Sequence, residues 1–246
     1  MSAVSGYSVL PVTGLPELRA GDDLAALIVE RTDLEDGDVV VVAQKAISKI
    51  EGRVVHLDDI EPSERAQEIA GDDSDPRRIE AILSEARRVV RVRPPLVICE
   101  TQHGFICASA GVDASNAPEP EMLVLLPLDP DASAARLRDA LRARTGREVG
   151  VIVTDSFGRP WRQGTTDVAI GAAGVEVLRD LKGGRDPVGY ELHATVIAVA
   201  DEIAGAAQLV SGKLDRIPVT VVRGLDVRGD GRAIDIPVPP ERDLFR

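Results

Sequence analysis

The sequence predicts an α/β (α+β) protein, and three observations carry that expectation. Runs dense in β-branched residues, such as Asp38-Val39-Val40-Val41-Val42-Ala43-Gln44, are short and apolar enough to be buried strands. Other stretches place apolar residues three and four apart, the period of a helix with one buried face. The two kinds of segment alternate along the chain, as they do when helices pack on a sheet.

In chain order, residues 7–10 open as a short strand, with Val12 just past Pro11. Residues 22–32 read as a helix with Leu24, Leu27 and Ile28 on one face, and Gly21-Asp22-Asp23 supplies its cap. The strand at 38–44 follows. Residues 62–70 and 76–88 are charged helical stretches, and 96–100 with 105–108 form a strand pair around a turn at His103-Gly104. Residues 122–127 are a further buried strand, and 132–144 an amphipathic helix ended by Gly146. Strands at 149–154 and 195–200, a helix at 203–210 stopping near Gly212, and a last strand at 218–222 complete the pattern. No repeat or low-complexity linker divides the 246 residues, which suit one large domain or two small ones. Residues 118–121 and the turn Asp129-Pro130-Asp131 are the candidate lobe boundaries.

Only 2% of residues are aromatic, so Ala, Val, Leu and Ile must fill the core. A net charge of -12 argues against nucleic acid and anionic membranes as partners, although basic residues or a bound cation can reverse the field inside one cleft. Cys99 and Cys107 are too few for a zinc site and read as buried thiols. No apolar run reaches the length of a membrane span, and residues 1–10 lack the pattern of a signal peptide, so a cytoplasmic protein is expected.

The chemistry concentrates in four segments. The strongest is Thr154-Asp155-Ser156-Phe157-Gly158-Arg159-Pro160-Trp161-Arg162-Gln163-Gly164, which a buried strand enters directly. Ligands gather beyond the carboxyl ends of strands in α/β sheets, which is where Asp155 is expected. A carboxylate, a hydroxyl and the guanidiniums of Arg159 and Arg162 suit a metal-bound phosphate; a polar turn with an Arg–Asp pair is the bland alternative. In the second segment, Ala110-Gly111-Val112-Asp113-Ala114-Ser115-Asn116, Asp113 is a hard-cation candidate and Asn116 a nucleotide-contact candidate, against the simpler reading of an Asx turn. In the third, Asp201 and Gln208 lie about two helical turns apart with Ala204 and Gly205 between them, and Lys213 follows the helix end. Tight packing through small residues explains that face equally well. In the fourth, Gly14-Leu15-Pro16-Glu17-Leu18 forms a turn, and Lys45 and Lys49 follow a strand end where anions are often held. No P-loop or GxGxxG turn is present, and the histidines stand in no catalytic pattern.

Together these segments, with Ser48-Lys49-Ile50-Glu51-Gly52, Ala200-Asp201-Glu202 and Gly212-Lys213, resemble the coenzyme F-420-0:L-glutamate ligase family along nearly the whole chain. The resemblance implies a single ligase unit over residues 1–246, built as a two-lobed fold that forms an intertwined homodimer. It implies that GTP is cleaved to GDP and phosphate while L-glutamate is joined by an amide bond to the lactyl carboxylate of F-420-0, through an acyl phosphate, with further γ-linked glutamates as an option. Two Mg2+ or Mn2+ ions would serve each site, and K+ is a third cation the resemblance allows. By position, Asp113 and Asp155 would hold one metal, and Ser156 and Gln208 would help hold the other. Leu15, Pro16, Glu17, Leu18, Gln44, Lys49 and Asn116 would line the GTP site from one side. Ala206, Ala207, Gln208, Leu209, Val210, Ser211, Gly212 and Lys213 would line it from the other. Asp155, Arg159 and Arg162 would carry the catalysis. Gln44 stands where some members carry Ser, and Ser156 where Thr is commoner. A nucleotide sensor without ligase chemistry and a ligase for another carboxylate remain the rival readings.

Overall fold

The computed structural model describes residues 6–244. β1 (Ser8–Pro11) leads to α1 (Leu24–Val29), where the Asp23 carboxylate accepts the Ala26 backbone N–H and so satisfies one of the helix's orphan donors. β2 (Val39–Ala43) runs straight into α2 (Gln44–Ile50), and β3 (Val54–His56) follows. α3 (Glu64–Ala70) and α4 (Pro76–Glu85) start on Ser63 and Asp75 caps, with Pro76 where a missing N–H costs nothing. β4 (Ala86–Arg93), β5 (Leu96–Thr101) and β6 (Ile106–Ala108) form an antiparallel sheet, and β7 (Met122–Val124) pairs with β3. α5 (Pro130–Thr145) is capped by Asp129 and stopped by Gly146 at φ 68°, a left-handed conformation that glycine adopts without a Cβ clash. β8 (Gly150–Arg159) and β9 (Arg162–Ala173) make a long hairpin. β10 (Arg179–Asp180) pairs with β11 (Val196–Ile197); then come α6 (Val199–Ser211) and β12 (Val219–Arg223).

The central sheet has the order β1-β12-β2-β8-β9. Its one parallel pair is β2 with β8, in a register that sets Ala43 opposite Thr154. Both faces are covered. Val40, Val42, Val151 and Val153 pack with Ile28 and Leu141 on one side, while Val39, Val41 and Ile152 pack with Ile203 and Ala207 of α6 on the other. That double burial explains why β2 reads as an unbroken valine run rather than an alternating one. A third apolar cluster, including Leu57, Ile79, Ile82, Val97, Cys99 and Leu123, lies apart from the sheet. Both cysteines are free and buried, and burial pushes Cys107 up to about 12, which makes it an inert thiol. Among the described residues, no helix is long and apolar enough to cross a membrane.

The contact between β9 and the start of α5 is tight enough to test. A Cβ added at Gly171 would lie 2.3 Å from the Pro130 carbonyl oxygen, a backbone atom that cannot swing aside. Gly171→Ala should therefore destabilise the fold by about 3 kcal/mol, at the upper end of ordinary overpacking, as a lower midpoint in urea denaturation. A midpoint equal to the parent's would show that the two elements are not locked together.

Three expectations need correction. The helix expected over 76–88 stops at Glu85, and the chain turns extended at Ala86 (ψ 128°) to pair Val89 with Cys99 and Val92 with Val97; cross-strand packing of the valines outweighs the helical propensity of the arginines. The strand expected over 149–154 runs on to Arg159, so the segment 154–164 is a hairpin that reverses only at Pro160-Trp161, and β9 across from it was not anticipated. The strand expected over 195–200 is reduced to Val196–Ile197, and α6 begins at Val199 rather than 203.

Candidate functional site

β2 and α6 meet the β8–β9 hairpin at one end of the sheet. β2 gives its last paired residue at Ala43, opposite Thr154, while β8 continues as one arm of the hairpin. Asp155 therefore sits inside a strand by hydrogen bonding, yet one residue past the carboxyl end of the parallel pair, where the sheet leaves a crevice. A cavity of about 470 Å³ fills it, a size ordinary for a small-molecule site.

Its walls collect most of the residues the sequence singled out. Leu15, Pro16, Glu17 and Leu18 form one side, and Gln44 and Lys49 project from α2. Asn116 lies on the loop after Asp113, and Gln208, Ser211, Gly212 and Lys213 come from the end of α6. Asp155 and Ser156 line it from β8. Four members of the expected 206–213 run do not line it. Ala207 packs into the core and Leu209 is 88% exposed, because a helix can turn only one stripe of a continuous run toward one ligand; Ala206 and Val210 also stay outside the lining. Arg159 and Arg162 are carried to the exposed hairpin tip, where Arg159 donates to the Gln163 carbonyl at 2.7 Å, and neither reaches the cavity wall.

The electrostatics divide the cavity into two oxygen-rich corners. In the first, Asp113 lies just behind the lining and accepts from Lys45 Nζ, from the Ser115 backbone N–H at 2.8 Å and from Ser115 Oγ at 2.7 Å. Burial works against the Asp113 carboxylate, but the Lys45 and Ser115 hydrogen bonds outweigh it, so its pKa falls below the ordinary value. In the second corner, Ser156 Oγ donates to Asp167 Oδ1 at 2.6 Å and accepts from Lys213 Nζ at 3.3 Å. The Asp167 backbone N–H donates to Gln208 Oε1 at 3.0 Å. Asp201, the other end of the α6 face, accepts the Ala169 N–H at 2.9 Å. The Asp201–Gln208 stripe thus clips α6 to β9 as well as forming part of the cavity. Lys49 pairs with Glu17, and both line the cavity.

Between the corners lies Asp155. Burial pushes its carboxyl up to about 7, the neighbouring Asp167 charge adds to the rise, and the Ser156 N–H, Lys45 and Lys213 oppose it. A carboxylate left so poorly neutralised is the natural seat of a hard cation. Among the described residues, no three His, Cys, Asp or Glu side chains converge into a cage. The available donors are carboxylate, hydroxyl and amide oxygens, the set that suits a magnesium-like ion whose shell is completed by phosphate and water. Gln44 adds a second sign of an intended ligand. It is 1% exposed, its Oε1 accepts from Ser48 Oγ at 2.8 Å, and its Nε2 has no partner although the residue lines the cavity. A buried amide donor left open costs on the order of 1–3 kcal/mol until something accepts from it.

Lys45 and Asp167 are the residues that reading of the segments underrated. Lys45 stood in a segment marked for anions, but its partner Asp113 is distant in sequence. Asp167 belongs to no motif.

Comparison with known proteins extends beyond this cluster. Residues 14–224 match the family described as F420-0:Gamma-glutamyl ligase. The chain is 46% identical over 253 aligned positions to the coenzyme F420:L-glutamate ligase of Methanopyrus kandleri, covering 100% of both chains. It is 43% identical to the protein of the same name from Methanothermobacter thermautotrophicus, over 98% of this chain and 99% of that one. With the Archaeoglobus fulgidus protein of that name it shares 46% over 97% of this chain and 96% of that one. With identity at this level along nearly the whole chain, and the family match over residues 14–224, the chain belongs to the F420-0:gamma-glutamyl ligase family.

Proposed function

We propose that this protein joins L-glutamate to the lactyl carboxylate of coenzyme F-420-0 in a reaction driven by GTP. The observation that carries the proposal is the cavity itself, where an undercompensated carboxylate, an open amide donor and three lysines converge at the carboxyl end of the parallel strands. An arrangement of hard oxygen donors beside cations is what phosphoryl transfer requires, since catalysis there is mostly positioning and charge neutralisation.

In this reading the triphosphate lies along α2 and the end of α6. The open Nε2 of Gln44 donates to a phosphate or ribose oxygen, and Lys49 and Lys213 exchange their present partners Glu17 and Ser156 for phosphate oxygens. Divalent cations, when bound, would neutralise the phosphates and fix them in line for transfer. Asp155 and Ser156 would hold them from β8, with Asp113 and Gln208 facing from either side. The acceptor carboxylate oxygen takes the γ-phosphoryl group and GDP departs. The glutamate amine then attacks the acyl carbon, phosphate leaves with the carboxylate oxygen, and the amine proton passes to phosphate or water. Further rounds would attach glutamate through the γ-carboxylate of the residue already added.

Arg159 and Arg162 stand at the hairpin tip, outside the cavity lining of their own chain, and take no step in this proposed reaction. The resemblance also carries two lobes and a homodimer. The separate apolar cluster around Ile79 and Leu123 favours a second lobe, and light scattering of the purified protein would establish the number of chains.

The test is a coupled assay with GTP, Mn2+ or Mg2+, L-glutamate and F-420-0, read by mass spectrometry. Glutamyl additions should accompany GDP formation, and GDP should accumulate beyond one per protein only when acceptor and glutamate are both present. Nucleotide binding without any addition would favour a sensor or a different acceptor.

A further inference from the structure

We infer that Asp167 is a cation ligand, supplying the carboxylate of the corner formed by Ser156 and Gln208. The inference rests on the reading of this cavity as a site for divalent cations and a nucleotide, and it adds a residue that no sequence signal marked.

The geometry begins with the hairpin. Ser156 on β8 and Asp167 on β9 are direct cross-strand partners, so their side chains share a face. Asp167 lines the cavity together with Thr154, Ser156 and Gln208. The hydrogen bonds fix where protons and lone pairs go. Ser156 Oγ spends its one proton on Asp167 Oδ1 at 2.6 Å, so what it offers elsewhere are lone pairs. Asp167 Oδ2 has a single long contact, with Thr154 Oγ1 at 3.4 Å, which leaves that oxygen free to coordinate. Gln208 Oε1 receives the Asp167 N–H at 3.0 Å and keeps a second lone pair. Three oxygens of different kinds are thereby held acceptor-side out, and none offers a competing proton to the cavity.

Two further observations point to a positively charged occupant. The Lys213 ammonium already lies 3.3 Å from Ser156 Oγ, in the position of a counter-ion to this corner. Asp155 lines the same cavity from β8, so a cation held in this corner would have a second carboxylate beside it. The buried Nε2 of Gln44 independently marks the same cavity as built around an absent acceptor.

Asp167→Asn is the discriminating change. Asn keeps an oxygen to accept from Ser156 Oγ and keeps the backbone N–H that Gln208 needs, but it removes the charge and the better coordinating oxygen. A merely structural role would survive it. Mn2+ binding should be measured by loss of the free-ion electron paramagnetic resonance signal, with and without GDP, on the full chain. Asp167→Asn should weaken Mn2+ binding by about tenfold to a hundredfold, with thermal denaturation unchanged, and Asp167→Glu should recover part of the loss. Mn2+ affinity within twofold of the parent in Asp167→Asn would overturn the assignment while leaving the cavity's function intact. A parent protein that binds no Mn2+ even with GDP would instead overturn both.

Discussion

Asp155→Asn should lower the rate of ligation by about a hundredfold to a thousandfold, the usual cost of removing a charge-stabilising group from a preorganised site, without unfolding the protein. The second half of that expectation follows from the environment of the carboxyl. Its folded pKa lies near 7 and the ordinary value is 3.8, so between those limits the folded chain binds a proton that the unfolded chain has lost. Stability therefore falls as pH rises from about 4 to about 7, and above pH 7 the folded chain carries the full cost of an ionised Asp155. Asn does not titrate. In metal-free buffer at pH 8 the variant should melt at the parent's temperature or above it, and below pH 4 the two should converge. Added Mg2+ or Mn2+ should raise the melting temperature of the parent more than that of the variant. Undiminished ligation by Asp155→Asn would remove the carboxylate from the mechanism; a large drop in melting temperature at pH 8 would mean that Asp155 holds the fold rather than the cation.

Arg223→Leu should have the largest effect on stability, for the opposite reason. Asp38 is 1% exposed and takes both bonds of the Arg223 fork at 2.8 Å, with a further 2.8 Å bond from the Glu35 N–H. Arg223 also donates to the Asp33 carbonyl at 2.9 Å and pairs with Glu35. Its removal leaves a buried carboxylate without its counter-ion, which costs about 3–5 kcal/mol. Adding Asp38→Asn to Arg223→Leu should recover much of the loss, because the uncompensated charge goes with it. Arg223→Lys should fall between, since an ammonium neutralises the charge but cannot reproduce the two-pronged geometry. The pair sits at the start of β2, opposite the end that opens into the cavity, so the folded fraction of Arg223→Leu should retain its ligation rate. Urea denaturation and a rate normalised to folded protein would separate the two quantities. A destabilisation below about 1 kcal/mol would place this pair among surface ion pairs of little consequence.

The contrast between these residues shows what could be read from the sequence. Asp155 and Ser156 were legible because a buried apolar strand leads directly into them, and a strand's end is a strong positional cue. Gln208 and Lys213 were legible because a helix of small residues that stops at Gly212 has few polar positions to offer. Asp167 was not, for the segment 154–164 reads as a loop rich in glycine and arginine, and nothing local reveals that it turns back only at Pro160-Trp161. Its partner Ser156 is assigned by strand register, a tertiary property. The same hairpin displaced Arg159 and Arg162: counted along the chain they are near Asp155, but an extended strand moves each residue about 3.3 Å further away. Lys45 and Asp113, far apart in the chain yet hydrogen-bonded in one corner of the site, are brought together only by the fold. Contiguous runs were overread in the opposite direction, since 206–213 is helical and turns Ala207 and Leu209 away from the cavity.

Phosphoryl transfer to the acceptor carboxylate in the Asp155 cavity is tested most directly by oxygen labelling. F-420-0 carrying 18O in its lactyl carboxylate would be converted with GTP and L-glutamate, and the released phosphate analysed by mass spectrometry. An acyl phosphate requires one labelled oxygen to pass into phosphate for each amide formed, with no transfer in Asp155→Asn. Amide formed by the parent protein while its phosphate stays unlabelled would contradict the mechanism.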